Sequence, residues 1–173
     1  YQLVLPGASP AKEPKDVRKA LNSHITAAFG VHQTRQEDLK PLVSESIEFL
    51  NSIQLDGEEE TPKTGTVNQI VWACSSRIAN KDFFLETFSM TYHAYITSHQ
   101  LFQKIKDAWD KLSELESDAT KLGTLKLKFA HFIEKWIQIS FFDFDATLIS
   151  QLFEWFAKLD HPSAAKRMKE TLG

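Results

Sequence analysis

The stretch DFFLETFSMTYHAYIT, residues 82–97, decides the fold. Five of its sixteen residues are Phe or Tyr, yet threonine, serine and histidine are interspersed among them. On a helix, several of these large side chains recur at intervals of three or four residues and share one face: Phe84, Phe88, Thr91 or Tyr92, and Tyr95. That periodicity predicts a helix with one strongly apolar side.

The polar residues of the same stretch fit a buried helix better than a ligand site. Glu86, Ser89 and His93 fall towards the other side of the helix, so we expect them to face away from the core. Thr87 and Thr91 are small enough to let a second helix approach closely. We therefore interpret the stretch as the central core helix of a bundle.

The residues before this stretch predict three more helices. Pro14 suits a first helical turn, and Thr34 to Glu37 could form a capping box. Pro41 interrupts that second pattern, so the helix is expected to start near Asp38 or Leu39. The three apolar stripes are Val17, Leu21, Ile25 and Ala28; then Leu39, Leu42, Val43, Ile47, Leu50 and Ile53; then Val67, Ile70, Val71, Cys74 and Ile78.

The residues after it also predict helices. Thr97 and Gln100 match a capping box, which places a helix start there. Three apolar stripes follow, and after the break at Pro162 comes a short basic helix over Ser163–Leu172. The stripes are Leu101, Phe102, Ile105, Trp109 and Leu112; Leu122, Leu125, Phe129, Phe132, Ile133, Trp136 and Ile137; and Leu148, Ile149, Leu152, Phe153, Phe156 and Leu159.

These patterns predict an all-α protein, an irregular bundle of about six to eight helices. No segment alternates with a period of two for long enough to predict a strand, although the first five residues, YQLVL, could form a short one. The chain divides into a two-helix N-terminal extension (1–60) with an acidic linker to residue 64, a helical domain (65–160) and a basic C-terminal segment (161–173). The linker, GEEETPKTG, has no apolar residue.

Composition excludes several classes of function. The net charge of −3 over 173 residues gives no basis for nucleic-acid binding. The single cysteine, Cys74, excludes an internal disulfide and fits a reducing compartment, and no apolar run approaches the length of a membrane span. Since the chain does not begin with Met, we interpret it as part of a longer cytoplasmic protein.

No catalytic, cofactor-binding or metal-binding constellation is visible. The six histidines do not follow a metal-ligand spacing, and His24, His32, His131 and His161 are scattered. Cys74 lies on an apolar stripe, where a buried core thiol is the expected role. The two carboxylates of FFDFD suggest a structural role: one of Asp143 and Asp145 ends the long helix region and the other caps the next helix.

Four motifs in order resemble one known family. They are TGTVNQIV (residues 64–71), FLETFSMTYHAYIT (84–97), FIEKWIQISFFDFD (132–145) and LISQLFEWF (148–156). Their sequence and spacing resemble the N-terminal domain of Ras-family guanine nucleotide exchange factors, also called the Ras exchanger motif (REM) domain. The matching positions are Gly65, Thr66, Phe84, Thr87, Phe88, Tyr92, Trp136, Asp143 and Phe144. The family often has Arg where this chain has His93, which puts an Arg-dependent contact in doubt.

The resemblance implies a regulatory helper domain, not an enzyme. In the family this domain packs against a separate catalytic exchange domain and braces the hairpin that opens the GTPase nucleotide pocket. In some members a second GTPase binds across both domains and activates exchange. The alternative is a REM-like interaction or scaffold module that binds a small GTPase directly. Recruitment to a membrane would then depend on other domains.

Three aromatic residues are candidates for partner contact. Trp136 lies in the part of the long helix that the resemblance links to GTPase binding, but also on the apolar stripe, so core and interface both remain open. Trp155 and Phe83 lie off the stripes of their helices, and exposed aromatic residues are favoured anchors of interfaces.

Overall fold

The computed structural model describes residues 40–57 and 61–173, which contain seven α-helices and one two-stranded sheet. The helices are α1 (Ile47–Asn51), α2 (Val67–Ser75), α3 (Asp82–Thr91), α4 (Ser98–Leu115), α5 (Ala119–Ser140), α6 (Ala146–Lys158) and α7 (Pro162–Leu172). The all-α class and the expected number of helices are confirmed. The predictions made for residues 1–39, including the stripe from Val17 to Ala28 and both N-terminal histidines, lie outside the described residues.

Helix α3 is largely buried, but the helix at the centre of the bundle is α5, which packs against α2, α3, α4 and α7, so the expectation that residues 82–97 form the central helix is wrong. Phe84 and Phe88 are 2% and 4% exposed, and the chain continues after Thr91 as a 3₁₀ turn, Tyr92–Ala94. However, Leu85 and Ser89 are also fully buried. The expectation that Ser89 faces away from the core is wrong, because neighbouring elements cover most of the circumference of α3.

Helix α5 runs parallel to α3, and a series of polar contacts fixes their register. The contacts join residues 49 to 51 positions apart at four levels: Asp82 with His131 (2.7 Å), Glu86 with Lys135 (3.0 Å), Ser89 with Ser140 (2.7 Å) and His93 with Asp143 (2.6 Å). Between these levels, aromatic rings pack across the interface, such as Phe88 on Phe132. The polar side of α3 therefore also packs against α5, in addition to the apolar side.

Helix α4 follows the turn after α3 and starts at the predicted capping box. The Thr97 hydroxyl accepts from the backbone N–H of Gln100 at 3.2 Å, and the Gln100 side chain accepts from the N–H of Thr97 at 2.8 Å. The predicted apolar stripe of α4 is fully buried: Leu101, Phe102, Ile105, Trp109 and Leu112. Helix α4 packs on α2 and α5, so it closes the middle layer of the bundle.

The C-terminal helices complete the same core. The Asp145 carboxylate accepts from the N–H of Leu148 at 2.7 Å and caps α6, which confirms one of the two aspartate roles. Pro162 occupies the first turn of α7, and Met168 of that helix is fully buried against α5 and α6. Phe153 was predicted on the buried stripe of α6 but is 40% exposed, so the prediction of burial at this position is wrong.

The predicted helix from Asp38 or Leu39 is not continuous. Leu42–Ser44 form a 3₁₀ turn, and α1 begins only after Ser46, whose hydroxyl accepts from the N–H of Phe49 at 3.1 Å. Serine hydroxyls compete with helical backbone bonds, which explains the break. Consequently Val43 is 59% exposed, while Leu42, Leu50 and Ile53 are buried.

The described residues on either side of the acidic segment pair as a short two-stranded sheet. Strand β1 (Gln54–Leu55) pairs antiparallel with β2 (Pro62–Thr64), which corrects the expectation of no strand in this region. The N–H of Asp56 also donates to the carbonyl of Thr61 at 2.7 Å. Leu42, Leu50 and Ile53 join the hydrophobic core formed by α2 to α7. No helix of the described residues is long and apolar enough to cross a bilayer.

Candidate partner interface

Several residues of the sequence signature meet where α3 and α5 end. The Trp136 ring lies 6.5 Å from the Tyr92 ring in an edge-on arrangement and 4.8 Å from the Phe144 ring, and Phe88 packs on Tyr92 at 6.3 Å. Trp136 is 0% exposed. Of its two open roles, the structure places Trp136 in the core, where its side chain presents no surface to a partner.

A polar layer surrounds this aromatic cluster. The hydroxyl of Tyr92 lies 2.7 Å from the Ser98 hydroxyl, and Ser140 donates to the carbonyl of Ser89 at 2.7 Å. Burial raises the pKa of Tyr92, and the polar side chains of Ser98, Trp136 and Ser140 partly offset that effect. The Tyr92 hydroxyl is therefore a structural group that stays protonated at neutral pH.

Asp143 has a defined role at the same junction. Its carboxylate lies 2.6 Å from Nε2 of His93, so it ties the turn after α5 to the turn after α3. The neighbouring pair repeats the arrangement: Nε2 of His99 lies 2.8 Å from Asp145 and is the main cause of the lowered Asp145 pKa. Two histidines thus hold the segment FFDFD against the start of α4.

The Gly-Thr pair at the start of α2 has a steric explanation. A Cβ on Gly65 would lie 2.8 Å from Cγ1 of Ile53 and 3.1 Å from the Gln69 side-chain oxygen, so any other residue would displace the Ile53 side chain. Thr66 forms a capping box with Gln69, with distances of 3.1 and 2.9 Å. This capping box was not identified in the sequence, although Thr66 and Gln69 have the same spacing as Thr97 and Gln100.

Phe83 is a surface residue at the start of α3. Its ring is 60% exposed, whereas the following residue, Phe84, is buried. Its carbonyl accepts from the Thr87 hydroxyl at 2.8 Å, so Thr87 stabilises its own helix turn in addition to allowing close packing. The ring of Phe83 is therefore largely exposed to solvent.

Trp155 lies elsewhere, between α4 and α6. Its ring is half-buried and makes edge-on contacts with Phe102 at 5.7 Å and with Trp109 at 5.6 Å. Among the described residues, no aromatic contact joins any two of Phe83, Trp136 and Trp155. The three sequence candidates do not form one patch.

The most exposed large apolar side chain of the described region was not among the candidates. Phe142 is 81% exposed and its neighbour Phe141 is 45% exposed, in the 3₁₀ turn that follows α5. Phe144, only two residues later, is 8% exposed and packs on Trp136. The signal available in the sequence was the dense run of three phenylalanines in FFDF, which cannot all face one core.

The described residues hold no group of three potential metal ligands. Cys74 is fully buried, and burial raises the pKa of its thiol, so it does not behave as a nucleophile. His131 pairs with Asp82, and His161 caps α7 by accepting from the N–H of Ala164 at 3.2 Å. The described histidines form hydrogen bonds or ion pairs that join neighbouring helices and turns.

Comparison with known proteins identifies the family from the same residues. The family described as the RasGEF N-terminal motif matches residues 61–156, which include α2 to α5 and nearly all of α6. The chain belongs to this family. The matched region contains the aromatic cluster, the Gly-Thr pair and the FFDFD turn.

Three curated proteins of Dictyostelium discoideum are similar to this chain. The proteins named Ras guanine nucleotide exchange factor R and S are 28% and 29% identical over 99 and 97 residues, covering 57% and 53% of this chain. Ras guanine nucleotide exchange factor A is 24% identical over 119 residues, or 68% of the chain. The aligned region spans only 6%, 9% and 19% of those three proteins. No solved structure matches the chain significantly.

Proposed function

We propose that this chain is a non-catalytic regulatory domain of a Ras-family guanine nucleotide exchange factor. Its role is to brace a catalytic exchange domain of the same polypeptide. The observation that carries the proposal is the match of residues 61–156 to the RasGEF N-terminal motif, together with relatives named as Ras exchange factors. The small share of those proteins that aligns leaves room for a separate catalytic domain.

The geometry supports a role that depends on packing. The described residues contain a continuous helical core and no group of three metal ligands, and their one cysteine is buried. A body of this kind can hold a neighbouring domain in position without taking part in chemistry. The proposed partners are therefore proteins, with no cofactor and no nucleic acid.

The proposed contact surface starts from exposed aromatic rings. Phe83 and Phe142 project from α3 and from the turn after α5, two elements whose register is fixed by the polar contacts between them. Exposed aromatic residues on a rigid support are favoured anchors of interfaces. Trp155, half-buried on another side of the bundle, is a separate candidate contact.

A binding measurement tests this proposal. The 173-residue chain is titrated with the exchange domain of its own full-length protein, and we expect a saturable complex that Phe83→Ala and Phe142→Ala weaken. Val43→Ala is the matched control, since Val43 is equally exposed but lies at the N-terminal end of the described region. A full-length protein without any exchange domain, or a chain that does not bind that domain, would contradict the proposal.

The allosteric part of the proposal concerns a second, GTP-loaded GTPase that binds across both domains. The same titration is repeated with Ras-family proteins loaded with GTP or GDP, with and without the exchange domain. We expect GTP-dependent binding only when both domains are present. Tight binding to the 173-residue chain alone would instead favour the scaffold alternative, in which the domain itself recognises a GTPase. The protein acts in the cytoplasm in either case, with membrane recruitment through other domains.

A further inference from the structure

The segment that precedes the hairpin is attached to the bundle by an unusual buried group. We call residues 40–53 the N-terminal strap; it includes the 3₁₀ turn Leu42–Ser44 and helix α1. It lies outside the family match, which begins at residue 61. Lys104, in the middle of α4, is only 4% exposed and faces this strap. A buried lysine requires strong polar partners, because desolvation of its charge is costly.

The strap supplies one of these partners directly. The Lys104 ammonium donates to the backbone carbonyl of Lys40 at 2.8 Å and to the side-chain oxygen of Asn68 at 2.5 Å. Asn68, on α2, is 1% exposed. Its side-chain nitrogen in turn donates to the same Lys40 carbonyl at 2.9 Å. One carbonyl of the strap therefore satisfies two buried donors from two helices.

The strap also supplies a buried carboxylate, which joins this group through Asn68. Glu45 is 8% exposed and accepts from the side-chain nitrogen of Asn68 at 3.1 Å. Its other oxygen lies 3.7 Å from the ammonium of Lys40. Lys104, Asn68, Glu45 and the Lys40 carbonyl thus form one buried polar network, which we call the polar seam.

Further along the strap, the contacts to the bundle are again mostly hydrogen bonds. Gln69 donates to the carbonyl of Phe49 at 2.9 Å, and the indole of Trp72 donates to the Asn51 side chain at 2.8 Å. Arg77 donates to the Asn51 carbonyl at 3.0 Å. The apolar contribution of the strap is limited to a few side chains, chiefly Leu42, Leu50 and Ile53.

We infer that the N-terminal strap is a conformational latch that is held by the Lys104 ammonium and can release from α2 and α4 while the aromatic core stays folded. A short helix attached through hydrogen bonds is a unit that opens locally, because few apolar contacts resist its release. A buried charge network adds orientation more than net stability. Release would expose the Lys104 ammonium and the indole of Trp72 together.

Hydrogen exchange of the 173-residue chain tests the latch. In the wild-type chain we expect amides of residues 47–55 to exchange through a local opening, at least about tenfold faster than the slowest amides of α5. In Lys104→Met we expect the strap amides to exchange about tenfold faster again, since the buried Asn68 oxygen loses this donor and the Lys40 carbonyl keeps only one of its two donors. The exchange of α3 and α5 is expected to stay unchanged.

The same helix offers a matched control. Lys111 is also buried, at 7% exposed, and its ammonium lies 3.4 Å from Glu114 of the same helix. Lys111→Met removes a buried charge from α4 without touching the strap, so strap exchange should remain at the wild-type rate. If Lys104→Met does not fold, Glu45→Gln provides the second variant, with the same expected acceleration confined to the strap.

Two results would overturn the latch. In the first, the strap and α5 exchange at one common rate in the wild-type chain, which would show a single cooperative unit. In the second, Lys104→Met or Glu45→Gln accelerates exchange equally in the strap and in α5, or leaves the strap unchanged. The first result would show that the strap does not open on its own, and the second that the ammonium does not control its docking.

Discussion

The polar seam and the aromatic core are buried to a similar degree but are held by different forces. In the aromatic core, Phe88, Tyr92, Phe132, Trp136 and Phe144 contact each other through ring surfaces. In the seam, an ammonium, an amide, a carboxylate and one backbone carbonyl depend on each other's hydrogen bonds. Ring packing tolerates small shifts, whereas a hydrogen-bonded network loses its value when one partner leaves. This difference is the reason that we expect the strap to detach while the aromatic core stays folded.

Removing a ring from the aromatic core should have the largest effect. Phe88→Ala leaves a cavity between Tyr92 and Phe132, so we expect the free energy of unfolding to fall by about 3–5 kcal/mol. Urea denaturation followed by circular dichroism measures the loss. Phe83→Ala, on the exposed side of the same helix, is the control, with an expected change within about 0.5 kcal/mol. A Phe88→Ala chain with the wild-type denaturation midpoint would contradict the assignment of the core.

A steric change at the edge of the strap should have the next largest effect. In Gly65→Ala the new methyl group would lie 2.8 Å from Cγ1 of Ile53, which is an apolar anchor of the strap. Displacement of that anchor should cost about 1–3 kcal/mol, measured by urea denaturation.

Gly57→Ala is the matched control for this change, because a Cβ there meets no atom within 4 Å. We expect that variant to keep the wild-type stability within about 0.5 kcal/mol. Equal stabilities of the two alanine variants would show that the strap is not packed on α2 through Ile53.

Loss of a helix cap should have a smaller effect. Thr97→Ala removes the acceptor of the Gln100 N–H at the start of α4, so we expect a loss of about 1 kcal/mol. Thr97→Ser keeps the hydroxyl and should restore most of the stability. Thermal denaturation of both variants provides the measurement, and a serine variant no better than alanine would exclude the capping role.

An ion pair between the buried Lys126 and the exposed Asp160 should have the smallest effect and gives a pH dependence. Lys126 donates to both carboxylate oxygens of Asp160, at 3.0 and 2.9 Å, and these hydrogen bonds are the main cause of the lowered Asp160 pKa. The resulting stability is present above the unfolded pKa of about 3.9 and is lost as the pH falls through the lower folded value.

The Asp160 side chain is 70% exposed, so its contribution should stay below about 1 kcal/mol. Unfolding free energies measured from pH 6 down to pH 2 should decrease less steeply in Asp160→Asn than in the wild-type chain. Parallel curves for the two proteins would show that this pair has no effect on stability.

The sequence predicted the aromatic core well, because helical periodicity and capping boxes are local signals. The stripe of α4 and the cap at Asp145 follow from spacing alone. The polar seam could not be predicted, because Lys104 is charged and its partners Lys40 and Asn68 are 64 and 36 residues away along the chain. Ser89 was misplaced for a related reason: it faces α5, whose Ser140 donates to the Ser89 carbonyl from 51 residues away along the chain.

The exposure of the candidate contact residues was predicted only in part. Phe83 is exposed as its offset from the helix stripe indicated, but Trp136 is fully buried by Tyr92 and Phe144. Phe142 was missed because a 3₁₀ turn, not a helix, sets the direction of its side chain. Helical periodicity identifies core positions within regular elements and gives less information about the turns between them.

The rate of GDP release from Ras-family GTPases tests the proposed regulatory role most directly. The 173-residue chain alone should leave this rate at its intrinsic value at every concentration. The full-length protein should accelerate release, and Phe88→Ala within this domain should reduce that acceleration because the brace is lost. Acceleration by the isolated chain, or full activity of the full-length Phe88→Ala protein with this domain unfolded, would contradict a non-catalytic bracing role.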